Sequence, residues 1–355
     1  MASPGSAVDW VASLSPWPAD FGLDRMRALL AELGDPQRAF RSVHVVGTNG
    51  KSTATRTVEA HLLAAGLRTG AYLSPHVRGW GERIRVDGEE ADVEEALARV
   101  RPAVQALEAT QFEALTAAAF AAFAEEGVEA AAVEAGLGGR LDATNVVDAP
   151  VVLLTNVSLE HTEVLGDTRE AIAREKLAVA HAARVVVLPD REFAALAPPE
   201  AEVLLGGARE AAAAFLGREP DAIEAPVLPG RLERRGDEVR DGAHNPAGAR
   251  WLADRLAAER PWVVVASVLR DKDVDGMLRE LARLGDVLVA TESGSTRVLP
   301  ADELAAAAAA HFGTVATAPD PLEALALARE QGPRVVVTGS LYLLAALAEQ
   351  ETGAR

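Results

Sequence analysis

The residues best placed to do chemistry begin at Gly47-Thr48-Asn49-Gly50-Lys51-Ser52-Thr53. The apolar run Val43–Val46 precedes them and a long helical pattern reaching Ala65 follows, which is the layout of a phosphate-binding loop. Backbone N–H groups freed by the glycines can close around phosphate oxygens, the helix presents its positive end, and Lys51 adds a full charge. A hydroxyl on Ser52 or Thr53 can reach a magnesium ion. The common pattern has its first glycine where this chain has Val45, so the loop is a tighter variant starting at Gly47.

Four further groups have chemical potential. Glu134 follows a strand and precedes glycines in Glu134-Ala135-Gly136-Leu137-Gly138-Gly139-Arg140-Leu141-Asp142-Ala143-Thr144-Asn145. Its carboxylate suits a hard cation, and equally a helix cap or a surface position. His161, in Leu159-Glu160-His161-Thr162-Glu163, is a metal ligand, a base or a plain loop residue. Lys176 shares one helical face with Ile172 and Val179, so it points inward and needs a partner or a lowered pKa; the alternative is a stem that snorkels beside Glu175. Asp241-Gly242-Ala243-His244-Asn245-Pro246 either holds a nucleotide or only caps a helix through Asn245.

The elements that must position these groups alternate between strand and helix. Strands are expected near Arg68–Leu73, Ala130–Val133, Val151–Leu154 and Val185–Leu188, with helices over Leu23–Leu33, Val93–Leu107, Phe112–Glu126 and Gly166–Ala183. Asp167 reads as the cap of the last, with Glu170 as its capping-box partner. Arg78–Gly88 reads as a surface excursion in which Ile84 and Val86 alternate. Continuous apolar runs imply parallel strands covered on both faces, with ligands at their carboxyl ends. Pro226–Arg231 has linker composition, and the pattern restarts with strands at Val263–Ser267, Val287–Ala290 and Val335–Val337 and helices near Val274–Leu284, Pro300–His311 and Leu322–Gln331. The expected architecture is α/β: an N-terminal P-loop-containing, doubly wound parallel-sheet ATPase domain over residues 1–228, and a smaller Rossmann-like α/β domain over 229–355. A cleft between such domains is a usual substrate site.

Composition narrows the partners. The 355 residues carry 35 Lys and Arg against 53 Asp and Glu, a net charge of −18, which disfavours nucleic acid or an anionic membrane as partner. Without cysteine there is no disulfide, thiolate metal site or cysteine nucleophile. The first residues lack a basic region followed by an apolar core, and no apolar run approaches a membrane span, so a cytoplasmic enzyme is expected.

With these pieces in order, the chain resembles the dihydrofolate synthase/folylpolyglutamate synthase family, within the Mur-type peptide ligases. The resemblance covers nearly the whole chain and rests on FGLDRMRALLAELG, GTNGKST, SPH followed by ERIRVDG, FEALTAAAFAAFAEEGV, EAGLGGRLDATN, EHTEVLGDT, REK, LPGRLE, DGAHNP, DKDVDGM and VTGSLY. EAGLGGRLDATN narrows it to the folate branch. By that resemblance Thr48, Asn49, Gly50 and Lys51 hold ATP phosphates with Ser52 and Thr53, and Arg231 and Asp241 contact the nucleotide. Ser74, Glu134 and His161 match magnesium ligands of two sites, and Lys176 matches a lysine carboxylated by carbon dioxide, with Lys51, His161 and Lys176 the catalytic set. Phe21, Gly22, Leu23, Asp24, Thr110, Gln111, Phe112, Glu113, Leu141, Asp142 and Ala143 fall on segments that contact the pterin, and His244 and Ser340 on those that help the incoming glutamate.

The reaction implied is that of an acid–amino-acid ligase: ATP activates a dihydropteroate or reduced-folate carboxylate as an acyl phosphate, and glutamate displaces phosphate, in a monomer whose second domain closes on the first. Ser52 stands where the family's loop usually has glycine, Glu160-His161-Thr162-Glu163 replaces DHTD, and Gly81 stands where asparagine is usual. The stretch between Lys176 and Arg231 is short and contains no Asn or Gln, although the family uses an asparagine there. The competing readings are a Mur-type ligase for another carboxylate such as a peptidoglycan precursor, a P-loop ATPase or kinase switch, and a degenerate nucleotide- or folate-binding homologue.

Overall fold

The computed structural model describes residues 5–18 and 20–353, which form two compact units. One contains the chain up to Pro75 and Gly79–Pro226; the other contains His76–Arg78 and everything from Val227.

The first unit is built on an eight-stranded sheet. In chain order the strands are β1 (Arg41–Val46), β2 (Thr69–Tyr72), β3 (Ile84–Val86), β4 (Glu89–Glu90), β5 (Ala130–Glu134), β6 (Val151–Leu154), β7 (Val185–Leu188) and β8 (Glu202–Leu205). In space they run β4-β3-β2-β5-β1-β6-β7-β8. All neighbours are parallel except around the β3–β4 hairpin at one edge. Its helices are α1 (Ala7–Ser13), α2 (Asp24–Glu32), α3 (Lys51–Ala64), α4 (Val93–Ala106), α5 (Gln111–Glu125), α6 (Thr162–Leu165), α7 (Arg169–Leu177) and α8 (Ala208–Leu216).

The apolar runs face two cores. Val43, Val45, Ala130, Ala132, Val151 and Leu153 pack on one face with Val58 and Leu62 of α3 and Ala211 and Phe215 of α8. Val46, Ala131, Val133, Val152 and Leu154 pack on the other with Phe120 and Phe123 of α5. The central strands are therefore covered on both faces, which is why their apolar runs are nearly continuous. Register sets the carboxyl ends of β2, β5, β1 and β6 side by side, with Tyr72 opposite Val133, Glu134 opposite Val45, and Val46 opposite Leu154.

Local details depart from expectation. The single helix expected over Gly166–Ala183 is α7 followed by a 3₁₀ stretch at Ala178–Ala182, and it is preceded by the one-turn α6. Gly166, at φ +102°, separates α6 from α7. Asp167 is not the cap: the Thr168 hydroxyl accepts from Ala171 N–H at 3.1 Å, because Thr168 holds the extended backbone an N-cap requires. The excursion over Arg78–Gly88 is only partly a surface segment, and the residue before it is also covered. Val77 is buried among the apolar side chains of the second unit, and Ile84 is fully buried in β3. Between Lys176 and Arg231, β8 and α8 were not foreseen.

The second unit has a six-stranded sheet of β9 (Glu233–Arg235), β10 (Glu238–Arg240), β11 (Val263–Ala266), β12 (Val287–Ala290), β13 (Thr314–Thr317) and β14 (Val335–Thr338), in the order β13-β12-β11-β14-β10-β9. The β9–β10 hairpin is antiparallel and the other pairs are parallel. Its helices are α9 (Pro246–Leu256), α10 (Val274–Leu281), α11 (Ala301–Ala308), α12 (Pro321–Gln331) and α13 (Leu341–Gly353). Asp241 follows β10, and Ser340 follows β14.

Candidate active site

The phosphate loop leaves β1 at Gly47, whose φ of +149° and surroundings both require glycine: a Cβ there would lie 1.9 Å from Thr155 Oγ1. Gly50, in the left-handed region at φ +79°, turns the chain into α3. The loop is braced by the segment after β6. Asn156 accepts from Asn49 N–H at 3.0 Å through Oδ1 and donates to Asn49 O at 2.9 Å through Nδ2. Thr155 Oγ1 donates to Asn49 O at 2.7 Å, Thr48 N–H donates to Asn156 O at 3.0 Å, and Ser158 N–H donates to Thr48 Oγ1 at 3.1 Å. Sequence reasoning passed over Thr155, Asn156 and Ser158. Their signal was a polar run beginning directly at the end of a buried strand.

Two lysines converge on one carbonyl. Lys51 Nζ donates to Gly47 O at 3.1 Å and Thr48 O at 3.3 Å, and Lys176 Nζ donates to the same Gly47 O at 2.9 Å. Lys176 is only 2% exposed, so it does not snorkel. Its acidic neighbour is Glu160, at 3.4 Å, while Glu175 pairs with Arg140. Burial, then the nearby Lys51 charge, brings the Lys176 amine down from 10.5 to about 8 against the opposing pull of Glu160.

The glycine-rich loop after β5 sets where Lys176 lies. A Cβ on Gly139 would come within 2.6 Å of the carbonyl oxygens of both Glu175 and Lys176, and Arg140 N–H donates to Glu175 O at 3.0 Å. The loop is tied by Asp142, whose Oδ2 accepts from Leu137 N–H at 2.8 Å and whose Oδ1 accepts from Thr144 N–H at 3.0 Å and from the Thr144 hydroxyl. Burial pushes the Asp142 carboxyl up, and these donors oppose it.

Glu134 is buried at the carboxyl end of β5, where Ser52 Oγ donates to its Oε1 at 3.1 Å and Ser74 N–H to its Oε2 at 3.2 Å. Ser52 thus faces the carboxylate, while Thr53 is exposed. His161 has left-handed backbone, φ +47°, and lies 4.0 Å from Glu163 through Nδ1. Such a conformation is costly for a non-glycine residue and is concentrated at functional sites. Among the described residues no three His, Cys, Asp or Glu side chains cluster as a metal cage. A single buried carboxylate with hydroxyls, open to phosphate oxygens, is the donor set magnesium favours over a dedicated cage, so these residues fit that ion.

The other expected site residues have mixed placements. Phe21, Gly22, Asp24 and Leu141 are exposed, with Phe21 against Trp17 at 6.4 Å between ring centroids, whereas Leu23 and Ala143 are buried. Thr110 and Glu113 form the capping box of α5, and Glu113 accepts from Arg25 Nε at 2.9 Å. Gln111 Nε2 donates to Val11 O at 3.1 Å, and Phe112 lies against Tyr72 at 5.9 Å. In the second unit Asp241 Oδ2 accepts from Leu232 N–H at 2.8 Å and Oδ1 from Ala243 N–H at 2.9 Å, while burial pushes its carboxyl up. Arg231 donates to Gly230 O at 3.3 Å. His244 Nδ1 is 2.8 Å from Gly242 O, and the Ser340 hydroxyl accepts from Tyr342 N–H at 3.1 Å. Asn245 caps α9, accepting from Gly248 N–H at 2.8 Å with Pro246 in the first turn.

A phosphate loop on one α/β unit, with a buried carboxylate at the end of the adjacent strand and an inward lysine on a helix beside it, and a second α/β unit after it, define an ATP-dependent ligase of the Mur type. Residues 45–216 match the Mur ligase middle domain, and residues 230–341 match the Mur ligase, glutamate ligase domain. The dihydrofolate synthase/folylpolyglutamate synthase of Mycobacterium tuberculosis is 36% identical over 84% of this chain and 80% of its own length. A solved M. tuberculosis folylpolyglutamate synthase complexed with ADP superposes with a TM-score of 0.88 at 32% identity, covering 97% of each chain. A bifunctional folylpolyglutamate synthase/dihydrofolate synthase from Yersinia pestis, complexed with AMPPNP and a manganese ion, gives 0.86 at 29% identity over 99% of this chain and 100% of the other. The chain belongs to the dihydrofolate synthase/folylpolyglutamate synthase family.

Proposed function

We propose that this protein joins L-glutamate to dihydropteroate, to reduced folates, or to both, using ATP and releasing ADP and phosphate. The observation that carries this reading is the meeting of Lys51 and Lys176 at Gly47 O, beside the braced phosphate loop. Thr48, Asn49, Gly50 and Lys51 hold the ATP phosphates, and Lys51 follows the charge that develops on the transferring phosphoryl group. The substrate carboxylate takes the γ-phosphoryl group and becomes an acyl phosphate. The glutamate amine then attacks its carbonyl carbon, loses a proton and expels phosphate. Arg231 and Asp241 contact the nucleotide, and His244 and Ser340 orient the glutamate. The exposed side chains of Phe21 and Leu141 meet the pterin.

Magnesium bound by Glu134 with Ser74 and His161 would neutralise phosphate charge and polarise the acyl oxygen. Lys176 is the residue for a carbamate: with its amine brought down to about 8, about a tenth is neutral at pH 7, far more than for an ordinary lysine, and can add carbon dioxide. That addition turns a cation into an anion at the site, which removes the repulsion from Lys51 and supplies oxygen ligands for a second cation. The protein acts on small molecules as a monomer.

Glutamate incorporation measured with ATP, with dihydropteroate and tetrahydrofolate in parallel, tests this reading. ATP-dependent incorporation into at least one acceptor is expected. Phosphate release only with a peptidoglycan-type acid would replace the reading by that of another Mur-type ligase, and nucleotide binding without turnover on any acceptor would leave a degenerate homologue.

A further inference from the structure

A histidine lies in the apolar core of the first unit with no part in the chemistry above. His44, on the central strand β1, is fully buried, and its Nε2 lies 2.9 Å from Thr144 Oγ1. Thr144 has one hydroxyl hydrogen, which it donates to Asp142 Oδ1. The hydroxyl oxygen therefore accepts a hydrogen bond from His44, which fixes the neutral imidazole with its hydrogen on Nε2. His44 Nδ1 is left with no hydrogen-bond partner among the described residues, a cost an apolar residue at this position would avoid.

We propose that His44 is a positioning residue for Lys176, acting through Thr144 and Asp142 on the loop from Gly136 to Asp142. His44 orients the Thr144 hydroxyl, and the hydroxyl with Thr144 N–H fixes one oxygen of Asp142. The other oxygen holds Leu137 N–H at 2.8 Å, which closes the loop. The closed loop presents Gly139 and Arg140 to the backbone of Glu175 and Lys176, too tightly for even a methyl group at Gly139. Because that backbone carries Lys176, the imidazole sets where the Lys176 amine meets Gly47 O without touching any substrate. A displacement of about 1 Å at such a position can cost about 10²-fold in rate.

The inference rests on the ligase reading, and its test separates the two. His44→Leu, His44→Gln, Thr144→Val and Thr144→Ser are compared with the unaltered protein for glutamate incorporation, with the KM for ATP and ATP affinity measured in each. Positioning predicts a kcat lowered about tenfold or more in His44→Leu and Thr144→Val, with ATP affinity and its KM within about twofold of the original. His44→Gln keeps an N–H donor and Thr144→Ser keeps the hydroxyl, so both recover most of kcat. Unchanged kcat in His44→Leu and Thr144→Val overturns the inference while leaving the ligase reading intact; absence of incorporation by the unaltered protein overturns the reading itself. Should His44→Leu fail to fold, Thr144→Val, of nearly the same shape, decides. Loss of ATP binding in Thr144→Val would also overturn the inference, since the network would then hold the fold rather than the lysine.

Discussion

Ser52 Oγ donates to Glu134 Oε1 at 3.1 Å, tying the first turn of α3 to the carboxylate at the end of β5. The phosphate loop and the proposed cation ligand are thus linked by a hydroxyl. Removing the hydroxyl withdraws a donor from a buried carboxylate, at about 1–3 kcal/mol. Ser52→Ala is expected to lower the melting temperature by several degrees and to raise the magnesium concentration needed for half-maximal turnover several-fold. Calorimetry and a magnesium titration of turnover check this; an unaltered magnesium requirement would separate Ser52 from the cation site.

Lys176 is the group whose ionisation governs the proposed carbamate. Burial favours the neutral amine, so the reactive form accumulates as pH rises through about 8, whereas an ordinary lysine would require about 10.5. Turnover at limiting carbon dioxide is expected to rise from pH 7 to 9, and added bicarbonate should lift its lower end. Lys176→Ala is expected to lose ligation by about 10³-fold or more while still binding ATP. Equal turnover in Lys176→Ala would remove the carbamate.

Gly47 permits the close approach of β6's continuation to the phosphate loop. A methyl group at this position meets Thr155 Oγ1 at 1.9 Å, and that hydroxyl donates to Asn49 O at 2.7 Å. Gly47→Ala is expected to weaken ATP binding at least tenfold. Adding Thr155→Ala removes the 1.9 Å clash but leaves Thr155 Cβ and N at 3.1 and 3.2 Å and the strain of positive φ, which for a non-glycine residue costs about 1–3 kcal/mol, so the double variant should recover affinity only in part. Nucleotide titration of the single and double variants decides; a single variant with full affinity would show that the loop can shift aside.

The sequence displayed most clearly what is local. The runs at Val43, Val151 and Val185 marked parallel strands because both faces of the sheet are covered, and GTNGKST marked the loop because glycine, lysine and hydroxyl must occur in that order. The inward lysine was legible from helical spacing, and its burial follows that spacing. Its partner was not: the sequence offered only Glu175 next to it, and the course of the chain after β6 brings Glu160 to Lys176 while the glycine loop draws Glu175 to Arg140. The edge strand β8 was hidden because its apolar run, Val203–Leu205, is only three residues long, and α8 because it is a short, alanine-rich helix of nine residues. Asn156 was hidden for a different reason. Its amide pairs with Asn49, more than a hundred residues away, and nothing local to Asn156 specifies that partner.

His44 makes the fold sensitive to acid in a predictable direction. Complete burial, reinforced by the half-exposed His181 that faces it with Asp148 alongside, brings its imidazole down from 6.5 to about 3. An unfolded chain would bind a proton below about 6.5 while the folded one would not until about 3, so stability is held above that window and lost as pH falls through it. By about pH 4.5 the loss reaches roughly 2–3 kcal/mol from this residue alone. His44→Gln keeps a donor for Thr144 but cannot be protonated in this range. Denaturant unfolding of the two proteins at pH 7 and 4.5 should therefore show the substituted protein losing less stability by about that amount. Parallel losses in both would mean that the imidazole is protonated in the fold as readily as in the unfolded chain, contrary to its complete burial.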